Sequence, residues 1–129
     1  MQEFATTPTA AGWARRHTAD VLARWGLSEL ADDCCLVVSE LVVNAIRHAV
    51  PSGPPVVCRL VLKLYADLIS VEVWDPSSES DLRPRVEGAL SESGRGLAIV
   101  AALCGAPPVV FTVPGGGKTV VAVVPRGAA

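Results

Sequence analysis

Charge of one sign is what this chain lacks first: 11 Lys and Arg stand against 13 Asp and Glu, a formal net charge of -2. That balance excludes a nucleic-acid binder resting on bulk positive charge, and the half of the residues that are apolar argue against a disordered chain. Long apolar runs are missing too: none reaches the roughly 18 to 20 residues needed to cross a bilayer. The opening MQEFATTPTA lacks the basic and apolar regions of a signal peptide, so the expectation is a cytoplasmic protein with no membrane partner. No CxxC pair occurs, and Cys34, Cys35, Cys58 and Cys104 lie in apolar runs without a histidine placed to complete a zinc site. They read as reduced core residues rather than a disulfide framework or a catalytic thiol. At 129 residues the chain has the size of one domain, 1–129.

What is present changes period several times along the chain. From about Thr9 to Trp25, Trp13, His17, Val21, Leu22 and Trp25 recur at helical spacing, and Gly26 follows as a stop. A longer helix is expected from about Glu29 to Ala49, ending before Pro51. Val56 to Tyr65 alternates as a half-buried strand, Ala66 and Asp67 make a turn, and Leu68 to Asp75 returns. Pro76 to Gly94 is polar and long for a loop in so small a chain. Gly96 to Leu103 resumes a helix, and two strands, Val109 to Val113 and Thr119 to Val124, flank the turn PGGGK. This order predicts an α/β (α+β) two-layer sandwich with the helices on one face of a largely antiparallel sheet.

The chemistry concentrates in SELVVNAIRHAV, Ser39 to Val50. Each helical residue turns about 100°, so Glu40, Asn44 and His48 form a slowly drifting stripe, with Val38, Leu41, Val42, Ala45 and Ala49 opposite. A generic amphipathic helix would leave such a stripe in solvent. Here Leu36, Val37 and Val43 fall on or near the polar side, which predicts a helix covered on both faces and a stripe at a pocket wall. A carboxylate and a carboxamide one turn apart offer hard oxygen ligands, suited to a magnesium ion that keeps waters and holds phosphates. Strand alternation also places Asp75 on the core face, where a lone charge is costly unless a ligand or another group hydrogen-bonds to it.

ELVVNAIRHA resembles the N box of the gyrase, histidine-kinase and MutL ATPase superfamily, the Bergerat fold, and is closest in pattern to the small anti-sigma-factor serine/threonine kinases. The resemblance continues in order through VEVWDP, ESGRGLAIVAAL and GGGKTVVAVVP, and so covers nearly the whole chain. It implies an ATP-binding protein that uses magnesium held by Asn44, with Glu40 as the catalytic residue that orients or deprotonates the attacking group. Asp75 would accept a hydrogen bond from the adenine amino group, with Thr119 supporting it from the neighbouring strand. Gly94 and Gly96 would let the backbone approach the phosphates at the start of the last helix, whose amides favour anions. Arg95, Leu97 and His48 complete the implied nucleotide-contacting set, and residues 76–95 would form the ATP lid. The implied partners are a sigma factor and an anti-anti-sigma protein phosphorylated on serine, with a homodimer through the N-terminal helix.

The adenine-side motif departs from its usual pattern. Where glycines usually follow the aspartate, this chain has Asp75-Pro76-Ser77-Ser78-Glu79, and neither proline nor serine takes glycine's conformations freely. That departure supports an alternative, a non-catalytic ATP-binding switch module. A histidine-kinase catalytic domain ranks third, because no dimerisation segment with a phospho-accepting histidine accompanies the motifs. GGGKT is not a phosphate-binding P-loop: Thr112 stands where a glycine is required, and a strand rather than a helix follows.

Overall fold

The computed structural model describes residues 1–49, 56–77 and 92–126, with the backbone alone for residues 48, 49 and 92–96. These residues form five strands and three α-helices in the order β1 (Gln2–Ala5), α1 (Ala10–Arg24), α2 (Ala31–Ala49), β2 (Val57–Leu64), β3 (Leu68–Asp75), α3 (Glu92–Cys104), β4 (Val109–Thr112) and β5 (Lys118–Pro125). A single 3₁₀ turn, Ser28–Leu30, leads into α2. The sheet runs β1-β2-β3-β5-β4, and every neighbouring pair is antiparallel. The expected two-layer α+β sandwich is therefore the architecture.

β1 has no counterpart in the sequence reading. Four residues, of which only Phe4 is buried, carry no alternation to detect, and the strand exists because it docks on β2, with Phe4 opposite Cys58. Thr6 locks the junction, donating its amide to the Val56 carbonyl and accepting the Val56 amide on its hydroxyl. Phe4 is thereby buried.

α1 ends as its sequence suggested. Gly26 donates to Ala23 and Leu27 reaches back to the Leu22 carbonyl at 2.8 Å, a Schellman closure that buries Leu22 and Leu27 together. Its fully buried stripe, however, is Ala10, Ala14, Thr18 and Leu22, with Trp13 and Trp25 only half-buried. Small residues at four-residue steps let α1 lie close against α2, and Thr18 satisfies its hydroxyl on the Ala14 carbonyl.

α2 is the central helix, packed against α1, α3, β3 and β5. Cys34, Val37, Val38, Leu41, Val42 and Ala45 are buried in the core between this helix and the inner sheet face, which supplies Cys58, Leu60, Ile69, Val71, Val73, Val120, Ala122 and Val124. The expectation of a helix covered on both faces holds only in part. Val37 joins the core, Val43 is half-buried, and Leu36 is 39% exposed.

Two turns fix the sheet. Between β2 and β3 the Tyr65 amide bonds to Leu68, and Arg126 clamps the Tyr65 and Ala66 carbonyls. Between β4 and β5 the segment Pro114–Gly117 turns tightly, Gly116 donating to Val113 and Val113 to Gly117.

Candidate functional site

Glu40 and Asn44 lie one turn apart on α2, as their spacing requires, Glu40 half-buried and Asn44 only 4% exposed. α1 holds a different flank of the helix: Arg15 donates to the Ser39 hydroxyl, and the Cys35 thiol donates to the Arg15 carbonyl. Cys35 and Asn44 are separated by about two and a half turns and so point in opposite directions. The polar stripe is thus on the flank that α1 does not cover.

Asp75 ends β3 on the core face, fully buried, as alternation predicted. One carboxylate oxygen, Oδ1, accepts the Ser77 amide at 2.8 Å, which makes Pro76 the corner of an Asx turn. The other, Oδ2, has no hydrogen bond from the described residues. Its charge is felt nearby: burial, and secondarily the Asp75 carboxylate, push the Cys58 thiol up to about 12.

The register of β3 with β5 decides what stands beside Asp75. Its cross-strand partner is Lys118, and Trp74 pairs with Thr119. Paired residues share a face and successive residues alternate, so Thr119 lies on the outer face of the sheet and does not support Asp75. The expected role for Thr119 is corrected accordingly. On that outer face Trp74 lies under the Arg59 guanidinium, 4.7 Å from its ring centre, and donates its indole N–H to the Gly116 carbonyl.

Lys118 is fully buried, and its Nζ lies 3.8 Å from Asp75 Oδ2. Gly117 sets this approach: its φ is +85°, and a Cβ there would collide with the Asp75 carbonyl and the Trp74 indole. The last strand, expected from Thr119, starts one residue earlier, at Lys118. Extending the alternation of Val120, Ala122 and Val124 back by one step would have placed Lys118 on the core face.

Gly94, Arg95 and Gly96 lie within α3, which begins at Glu92, four residues before the expected start. They are therefore helical residues rather than the end of a loop; the surroundings of their side chains are outside the described residues. Leu97 is half-buried against the core. His48 belongs to α2, its side chain outside the description, and of the expected lid, 76–95, residues 78–91 are also outside it.

Within the described residues three buried side-chain polar atoms lack a hydrogen-bond partner: Asn44 Nδ2, Asp75 Oδ2 and Ser77 Oγ. Buried polar groups are ordinarily satisfied, so such orphans call for an explanation. Asn44 and Asp75 are residues that the sequence assigned to a ligand, and Ser77 is two residues beyond. The unsatisfied atom of Asn44 is a donor; a magnesium ion, if bound, would take the carboxamide oxygen instead. No group of three or more His, Cys, Asp and Glu able to hold a metal exists among the described residues. No helix among them is long and apolar enough to cross a membrane.

The family model of the histidine kinase-like ATPase domain matches residues 4–123. No curated protein matches the chain.

Proposed function

Because the chain belongs to the histidine kinase-like ATPase family, we propose that it is an ATP-binding regulatory protein of the anti-sigma serine/threonine kinase kind, transferring phosphate to a serine of an antagonist protein. The observation that carries the reading is the buried Asp75 Oδ2, an acceptor with no hydrogen bond from the described residues; the unsatisfied atom of Asn44 is its Nδ2, a donor suited to a phosphate oxygen rather than to a metal. An adenine amino group would complete Asp75 Oδ2, and a magnesium ion would take the Asn44 carboxamide oxygen.

The chain's own residues then have separable tasks. Asp75, held by the Ser77 amide, selects a base bearing an amino group. Asn44 positions the phosphates through its ligand oxygen, and Glu40, one turn away, accepts the proton of the attacking serine hydroxyl. Bound magnesium would offset charge developing on the phosphate oxygens. Most of the catalysis is positioning, which a stiff helix packed on the sheet can supply.

A second reading, a switch that binds ATP without transferring phosphate, is favoured by the enclosure of Asp75 beside Lys118 and by the Pro76-Ser77 turn. Calorimetric titration with ATP, with and without magnesium, tests the common premise. Binding should weaken at least about tenfold in Asp75→Asn and lose its magnesium dependence in Asn44→Ala. Absence of binding in the wild type would sink both readings. Serine phosphorylation of a purified partner, abolished in Glu40→Ala with ATP binding kept, selects the kinase.

A further inference from the structure

We propose that Lys118 is an internal stand-in for the ligand: its ammonium neutralises Asp75 in the empty protein, and a nucleotide reaches that carboxylate only by displacing it. The inference rests on the nucleotide-binding reading above and adds a residue that the sequence did not single out.

Asp75 and Lys118 are each 0% exposed, so no ligand touches the carboxylate while both stay where they are. An isolated buried carboxylate is strongly disfavoured, and a cation facing it is the commonest remedy. The pairing is nevertheless loose. At 3.8 Å the Nζ is beyond hydrogen-bond distance of Oδ2, which keeps an unfilled acceptor position. Toward Asp75 Oδ2 the lysine supplies charge at a distance too long for a hydrogen bond, whereas an amino group of a base would provide the bond.

The location suits displacement. Lys118 is the first residue of β5, directly after the Pro114–Gly117 turn, and its main chain is fixed by register to Asp75 on one side and Thr112 on the other. The lysine can leave by rotation of its four-carbon stem while the strand stays paired. The exchange replaces a charged partner by a neutral donor, which is the weaker partner for a carboxylate, so the lysine lowers the affinity of the site. It acts as a threshold: the rest of the nucleotide's contacts must outweigh the lost ion pair.

The test combines three measurements on the full chain. Calorimetric titration with magnesium and ATP should give at least about tenfold tighter binding in Lys118→Met, and also in Lys118→Ala, whose side chain offers Asp75 no donor. In the wild type, reductive methylation read by mass spectrometry should modify Lys118 slowly without nucleotide and faster with saturating ATP. This arm needs no variant to fold. Urea unfolding of Asp75→Asn, Lys118→Met and the double variant, all without nucleotide, should show strongly non-additive effects. Equal or weaker ATP binding in both lysine variants, or protection of Lys118 by ATP, overturns the inference and makes the lysine a direct ligand contact. Additive unfolding effects also overturn it, while leaving the nucleotide reading intact. If ATP binds to none of the proteins although the unfolding effects are coupled, the nucleotide reading itself fails and the stand-in role falls with it.

Discussion

Replacing Gly117 by alanine should destabilise the protein far more than the same change at Gly115, two residues earlier in the same turn. Both glycines have positive φ, +85° and +96°, so each alanine incurs the left-handed penalty of roughly 1–2 kcal/mol. Each also gains the same small offset from a stiffer unfolded chain. The difference is space. Nothing lies within 4 Å of a Cβ at Gly115, while at Gly117 the Cβ would strike the Asp75 carbonyl and the Trp74 indole. Main chain cannot move aside cheaply, so overpacking adds about 1–3 kcal/mol. The totals are about 1–2 kcal/mol for Gly115→Ala and about 2–5 kcal/mol for Gly117→Ala. Urea unfolding followed by tryptophan fluorescence resolves that gap, provided the slopes stay equal. In a thermal melt each kcal/mol should lower Tm by roughly 3–5 °C in a chain of this size. Equal losses at the two positions would refute the claim that Gly117 is required for β5 to approach Asp75.

Leu41→Ala, which removes a fully buried side chain at the centre of α2, should cost about 2–5 kcal/mol in the same denaturation assay. Burial pushes the Cys34 and Cys58 thiols up to about 12, so at pH 8 alkylation of the native protein should spare both and modify the half-buried Cys35 and Cys104, whose thiols are raised less. The same shifts have a stability consequence. Between the ordinary thiol value of 9.0 and about 12 the unfolded chain has lost protons that the native state keeps, so stability should fall as pH rises through that window and be unaffected by these groups below it. His17, stacked on Trp13 with ring centres 5.4 Å apart, has its pKa lowered by burial first and by Arg24 second. The unfolded chain therefore binds the proton more readily, and His17 should contribute a loss of stability on acidification through its ordinary value of 6.5; a proton NMR titration with an apparent pKa at or above 6.5 would contradict this.

Local periodicity was enough to define most of the fold. β3 occupies Leu68–Asp75 as read, and α1, α2, β2 and β4 agree with their expected bounds to within about two residues, since each side chain's direction follows from its own segment. The same local logic identified Glu40 and Asn44 as neighbours and Asp75 as an inward-facing charge. The ordered motifs from ELVVNAIRHA to GGGKTVVAVVP indicated the ATPase family, which the match over residues 4–123 supports.

Tertiary structure decided the rest, because it depends on which segments meet. β1 is a strand only through its pairing with β2, and four residues cannot announce a partner some fifty positions away. Leu36 is exposed because the neighbours of α2, rather than its own pattern, determine which flanks are covered. Most consequential is the choice between Thr119 and Lys118. One step of register moves a side chain through the sheet, and that step is set by how closely Gly117 packs against Asp75. The sequence contained the carboxylate; only the packing of two strands put a buried lysine in front of it.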